Sequence, residues 1–184
     1  VLAGIPTVAI GLFALTALKP FLENFIPALN SVPFAAGVAG LAIGLMIVPI
    51  IASISDDAMR SVPQGLREAS FGLGATKSKT ATRVIVPAAM SGIVASIVLA
   101  GSRAIGETMI VLLAAGNTPN MDFSFSSSVQ TMTTFIATTG TGDIATGTIT
   151  YKTIFAVGAL LFVMTLILNA ISIRLVRKYR EVYE

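Results

Sequence analysis

Three features of the sequence predict an all-α protein built as a polytopic bundle of transmembrane helices. Of its 184 residues, 54% are apolar and 11% charged, far from the roughly one-quarter charged composition of soluble domains. Uncharged runs of 18, 21 and 21 residues occupy positions 1–18, 34–54 and 153–173. At about 1.5 Å of rise per residue, each suffices to cross roughly 30 Å of hydrocarbon. Finally, nine of the twelve Lys and Arg residues fall in two segments, five in 55–86 and four in 174–184, which gives the bundle an orientation.

Taken in order, the run 1–18 is the first expected span. Residues 19–33 carry three prolines together with Lys19, Glu23, Asn24 and Asn30, a composition that breaks helices and predicts a short exposed connection. The second span, 34–54, places Ala36, Gly40 and Gly44 at four-residue spacing, which lets another helix approach closely where lipid offers no hydrophobic drive.

Residues 55–86 hold Asp56, Asp57, Arg60, Arg67, Glu68, Lys77, Lys79 and Arg83, too many charges for insertion. Two short helices are expected there. Ser61 followed by Gln64, with Pro63 in the first turn, reads as a capping box. That helix would present Leu66, Ala69 and Leu73 on one side and end at Gly72 and Gly74. A second helix would start from Thr76 and run to Pro87.

Residues 88–116 number 29, about 43 Å if continuously helical, and include Arg103 and Glu107, so this segment must tilt or break. Gly101, Ser102 and Gly106 bracket the charges, predicting a polar helix end entering an interior cavity and a second short hydrophobic piece beyond it. Residues 117–152 are rich in Ser and Thr with Phe123, Phe125, Met132 and Phe135 interleaved. A partly ordered loop with one short helix is expected, either an ordinary solvated connection or a vestibule or docking surface for a substrate-delivering protein. The last span, 153–173, is followed at once by Arg174, Arg177, Lys178 and Arg180, a basic stop suited to anionic lipid.

Cytoplasmic connections carry the Lys and Arg excess, so 55–86 and the basic tail face the cytoplasm. The two lie two crossings apart, which agrees with four spans. The sequence opens on Val1 inside an apolar run, with neither an initiator methionine nor the features of a signal peptide, and is expected to be the later part of a longer chain.

The sequence contains no His and no Cys, which removes disulfides, His- or Cys-ligated metals, Ser-His-Asp triads and thiol nucleophiles. Gly74-Ala75-Thr76-Lys77-Ser78 lacks the second glycine and the strand context of a phosphate-cradling loop. Gly140-x-Gly142-x-x-Ala145 matches a dinucleotide pattern without a βαβ unit around it. This chain is therefore expected to bind no cofactor of its own, and no feature points to nucleic acid.

Arg103 and Glu107 stand four apart, on one face if the helix is unbroken. Ionisable groups at membrane depth face a partner or a water-filled path. Two readings follow: a structural ion pair, or a guanidinium whose planar donors receive an oxyanion.

Glu68-Ala69-Ser70, Gly74, nine residues, then Val84-x-Val86-Pro87 resembles the EAA signature of ABC importer permeases. It departs from that signature by Ser70 in place of the second Ala and by Val84 and Val86 in place of Ile and Leu. The resemblance implies that residues 55–86 form a coupling loop seated in a cytoplasmic ATPase subunit, with Glu68, Ala69, Ser70, Gly74 and Pro87 as its signature positions. Gly101-Ser102-Arg103-Ala104-Ile105-Gly106-Glu107-Thr108-Met109, with Gly116-Asn117 and Leu2-Ala3-Gly4-Ile5-Pro6-Thr7, narrows this to the phosphate-importer permeases, the PstC/PstA family, nearer its PstC side. Such permeases have about six spans, which fits a piece lacking the N-terminal ones.

The implied protein is a multi-pass subunit in the cytoplasmic (inner) membrane of a prokaryote that translocates inorganic phosphate, with Arg103 and Glu107 on the path. Its implied partners are an ATPase dimer that holds ATP and Mg, a second homologous permease, an extracytoplasmic phosphate-binding protein, and lipid. Related permeases for molybdate, tungstate or sulfate share both motifs. An ion-coupled carrier or channel is the alternative from another class.

Overall fold

The computed structural model describes residues 4–121 and 124–178. Phe123 and Arg180, singled out above, lie outside the described residues. All regular structure among the described residues is helical, so the all-α expectation holds. The helices α3 (Ala36–Arg60) and α10 (Ile149–Lys178) are each long and apolar enough to cross a membrane. A bent pair, Lys77–Ala88 with Met90–Ile105, adds a third crossing if counted as one span.

The chain divides into two compact units, Val1–Ile47 with Arg103–Leu166, and Val48–Ser102 with Ile167–Glu184. In the first, α1 (Thr7–Phe13) runs through a π-helical turn, Ala14–Leu18, into α2 (Lys19–Glu23). The helix thus continues past Leu18 into residues expected to be an exposed connection. Pro20 permits this because the wide turn precedes it. The Lys19 N–H reaches back five residues to the Ala14 carbonyl, easing the crowding that a proline ring imposes on the carbonyl four residues earlier. Lys19 is also buried, 8% exposed, with its ammonium on Glu23.

A 3₁₀ turn, Pro27–Leu29, leads to α3, whose first amides are met by backbone from elsewhere: Ala35 N–H donates to Ala114 O (3.0 Å), Ala36 N–H to Ser127 O (2.9 Å) and Gly37 N–H to Phe125 O (2.8 Å). The core of this unit is alanine-rich, with Ala14, Ala35, Ala39, Ala42 and Ala114 beside Val38 and Ile110. Small side chains let the helices approach closely. A Cβ on Gly11 would lie 3.2 Å from the Ile110 Cα in α8 (Met109–Ala114). A cavity of about 520 Å³ is lined by Leu22, Ile26, Leu29, Val38, Leu41 and Phe125 with two serines, and no charged group lines it.

In the second unit α3 continues to Arg60, well past the expected end at Ile54, and its last turn carries an Asp56–Arg60 ion pair (2.8 Å). This extension overturns the expected capping box. Ser61 Oγ donates back to Ala58 O (2.8 Å), and α4 (Gln64–Gly72) starts behind Pro63 with no side-chain cap. The second short helix does begin where expected: Thr76 caps α5 (Lys77–Thr80), its side chain accepting from Lys79 N–H. Another π turn, Ala81–Ile85, leads into α6 (Val86–Ala88), and again it precedes a proline, here Pro87. The chain then bends by 67° into α7 (Met90–Ile105).

α7 crosses the end of α3 at close range. A Cβ on Gly92 would sit 2.4 Å from the Ala58 Cβ, and Ser55 Oγ meets Ser96 Oγ at 2.9 Å. Gly40 and Gly44, by contrast, have no atom within 4 Å of a built Cβ. The Gly40 and Gly44 spacing is therefore not used among the described residues, and Gly92 is where α3 and α7 approach closely.

Candidate functional site

The segment 88–116 breaks, as its length requires, between α7 and α8. Glu107 occupies the break and is held at both ends. Its Oε1 accepts from the backbone N–H groups of Thr108 (3.2 Å), Met109 (3.2 Å) and Ile110 (3.3 Å). These are the donors that the start of a helix leaves unpaired, and a carboxylate there also complements the helix dipole. Its carbonyl accepts from Thr133 Oγ1 at 2.9 Å, and both residues are 8% exposed.

Arg103 lies in the last turn of α7 and is exposed. Four-residue spacing put the two charges on one face only if the helix continued. Because it breaks at Gly106, the pair does not form. The ion pairs among the described residues are Lys19–Glu23 and Asp56–Arg60. The guanidinium is thus left available while the carboxylate is used by α8.

Behind the break stands α9 (Met132–Gly140), the short helix expected in the Ser- and Thr-rich stretch. Thr131 and Thr134 form a capping box at its start. Thr138 Oγ1 donates to Thr134 O (2.8 Å) and receives Asn117 Nδ2 (3.0 Å), while Gln130 Nε2 donates to Asn117 Oδ1 (3.1 Å). Gly116, with φ of +79°, turns the chain out of α8 toward this network. Sequence reasoning missed Thr133 and Gln130, and singled out Asn117 only within a motif, without its partners. Their partners are distant in sequence, and the box uses Thr where Glu or Gln is the usual signal.

The signature positions of 55–86 form a compact knob in the second unit. Gly74, at φ +79°, donates to Phe71 O (2.9 Å), and Ala75 N–H donates to Ser70 O (3.1 Å), the paired bonds of a Schellman ending. Ser70 is buried and its Oγ meets Thr80 Oγ1 at 2.9 Å, tying α4 to α5. Arg67 Nη2 donates to Met59 O (2.7 Å), tying α4 to the end of α3. Glu68, Ala69 and Pro87 are exposed. Of the three residues expected on one side of this helix, Leu66 is half-buried, Ala69 is exposed and Leu73 is 90% exposed, and the buried contact is made by Ser70.

A family of binding-protein-dependent transport system inner membrane components matches residues 1–181. A probable ABC transporter permease protein YqgH of Bacillus subtilis is 38% identical over 89% of this chain and 52% of its own length. Phosphate transport system permease proteins PstC of Mesorhizobium japonicum and Haemophilus influenzae are 33% and 32% identical over 93% and 98% of this chain, and 57% and 62% of their own. The chain thus spans a little over half the length of these relatives. No solved structure matches it. By the match along nearly its whole length, the chain belongs to the inner membrane components of binding-protein-dependent transport systems.

Proposed function

We propose that this chain is a translocating subunit of an ATP-driven importer of inorganic phosphate, working as a multi-pass protein of the cytoplasmic membrane. The observation that carries the reading is Arg103, an exposed guanidinium without a partner among the described residues, beside a helix break fixed by Glu107. Its planar donors suit a tetrahedral oxyanion. The names of the PstC relatives support phosphate as that anion.

In this reading an extracytoplasmic binding protein delivers phosphate, and a second, homologous permease completes the path. ATP and Mg reside on an ATPase dimer that grips the knob around Glu68, Ala69, Ser70 and Gly74. The knob suits that task because it is internally tied. Ser70 to Thr80 and Arg67 to Met59 make one body of α4, α5 and the end of α3, so a displacement of the knob is passed to the membrane helices rather than absorbed. Glu107 has two effects. It keeps α8 started, and it holds a negative charge near the path, which limits how tightly Arg103 retains an anion that must be released.

The test is uptake of labelled phosphate by the assembled transporter. Arg103→Gln abolishes it at unchanged membrane abundance, and excess unlabelled phosphate competes where sulfate and molybdate do not. Failure of phosphate to compete assigns another oxyanion, and uptake independent of ATP assigns an ion-coupled carrier.

A further inference from the structure

We infer that Thr133 is a positioning residue for transport, the link through which α9 sets the geometry of the α7–α8 break and hence the aim of Arg103. The inference rests on the translocation role of Arg103 proposed above. A helix that breaks at membrane depth exposes backbone carbonyls that lipid cannot satisfy. Here the Glu107 carbonyl is met by the Thr133 hydroxyl at 2.9 Å, from a residue 26 positions away and equally buried. The Glu107 side chain is already committed to the amides of α8. The Thr133 bond therefore ties the break itself to another helix, where Ser102 to Asn169 (3.0 Å) holds the α7 side and Ala35 to Ala114 (3.0 Å) the far end of α8.

The donor end of that tie is itself fixed. Thr133 lies in the first turn of α9, between the two members of the capping box, and Thr138, one turn on, joins Asn117 and Gln130. A displacement of α9 or of the connection around Gln130 consequently moves the Glu107 carbonyl, and the end of α7 carrying Arg103 lies four residues before it. Apolar contact alone would leave the break free to slide. A directed hydrogen bond does not, since it weakens steeply with misalignment.

The experiment compares Thr133→Val, Thr133→Ser and Arg103→Gln in the full-length protein assembled with its partners, reading membrane abundance and the half-saturation and maximal rate of phosphate uptake. Valine keeps the shape and removes the donor; serine keeps the donor. Thr133→Val is expected to lower maximal uptake about tenfold at unchanged abundance and half-saturation, with Thr133→Ser within about twofold of the parent. Normal uptake by Thr133→Val, an equal loss in the Ser and Val variants, or loss of Thr133→Val from the membrane overturns the positioning role. If Arg103→Gln transports normally, the translocation reading itself fails, and this inference with it. Normal uptake in Thr133→Val beside a dead Arg103→Gln refutes the inference alone.

Discussion

The hydroxyls of Ser70 and Thr80 meet at 2.9 Å inside the knob, both buried, where a side chain from the end of one short helix joins the end of the next. Each satisfies the other, so removing one leaves a buried orphan. Ser70→Ala or Thr80→Val alone is expected to destabilise the protein by about 1–3 kcal/mol, whereas the double variant returns to within about 1 kcal/mol of the parent. A double-mutant cycle by thermal unfolding in detergent measures this; additive losses would show that the bond contributes nothing.

The crossing of α3 and α7 leaves no room for a methyl group at Gly92, since its Cβ would lie 2.4 Å from that of Ala58. Gly92→Ala is expected to cost about 1–3 kcal/mol through overpacking. Ala58→Gly in the same chain should recover most of it. If the second change gives no recovery, the two helices do not meet at these residues.

Gly74 and Gly116 share a φ of +79° but differ in surroundings. At Gly74 no atom lies within 4 Å of a built Cβ, while at Gly116 the Ser128 Oγ would lie at 2.6 Å and the Phe34 Cγ at 3.0 Å. Gly74→Ala should cost about 1–2 kcal/mol from backbone conformation alone. Gly116→Ala adds steric overlap and should exceed that by at least about 1 kcal/mol. Melting temperatures of the two variants, measured side by side, check the order.

Glu107 supplies one oxygen to three amides. Glu107→Gln keeps an acceptor and loses only the charge, an expected cost of about 0.3–1 kcal/mol. Glu107→Ala strands the amides and should cost about 1–3 kcal/mol. Equal stability of the two variants would show that the carboxylate does not start α8.

Local signals in the sequence were sound guides. Thr76 capping α5, Gly74 closing α4 and the break between Arg103 and Glu107 depend on neighbours within a few residues, and all three are present. Signals that depend on what a distant segment does were not readable. Ser61 looks like a cap until α3, stabilised by Asp56 and Arg60, runs through to meet it. Lys19 looks exposed until its ammonium pairs with the half-buried Glu23 one turn on. Gly40 and Gly44 have the spacing of a tight crossing, yet the crossing is made at Gly92. Thr133 carries no local sign at all, because its meaning comes from a carbonyl exposed only once the helix 26 residues earlier has broken.

The π turn at Ala81–Ile85 contains one residue more than an α-helix would use over the same rise. One residue rotates a helix by about 100°, so everything between Thr76 and Pro87 is indexed in angle as well as in length. Deleting a single residue there would leave a regular α-helix and still turn the knob by more than a quarter revolution against α7. The nine-residue gap between Gly74 and Val84 is therefore a phase setting, within which Thr76 caps α5 and Thr80 ties it to α4.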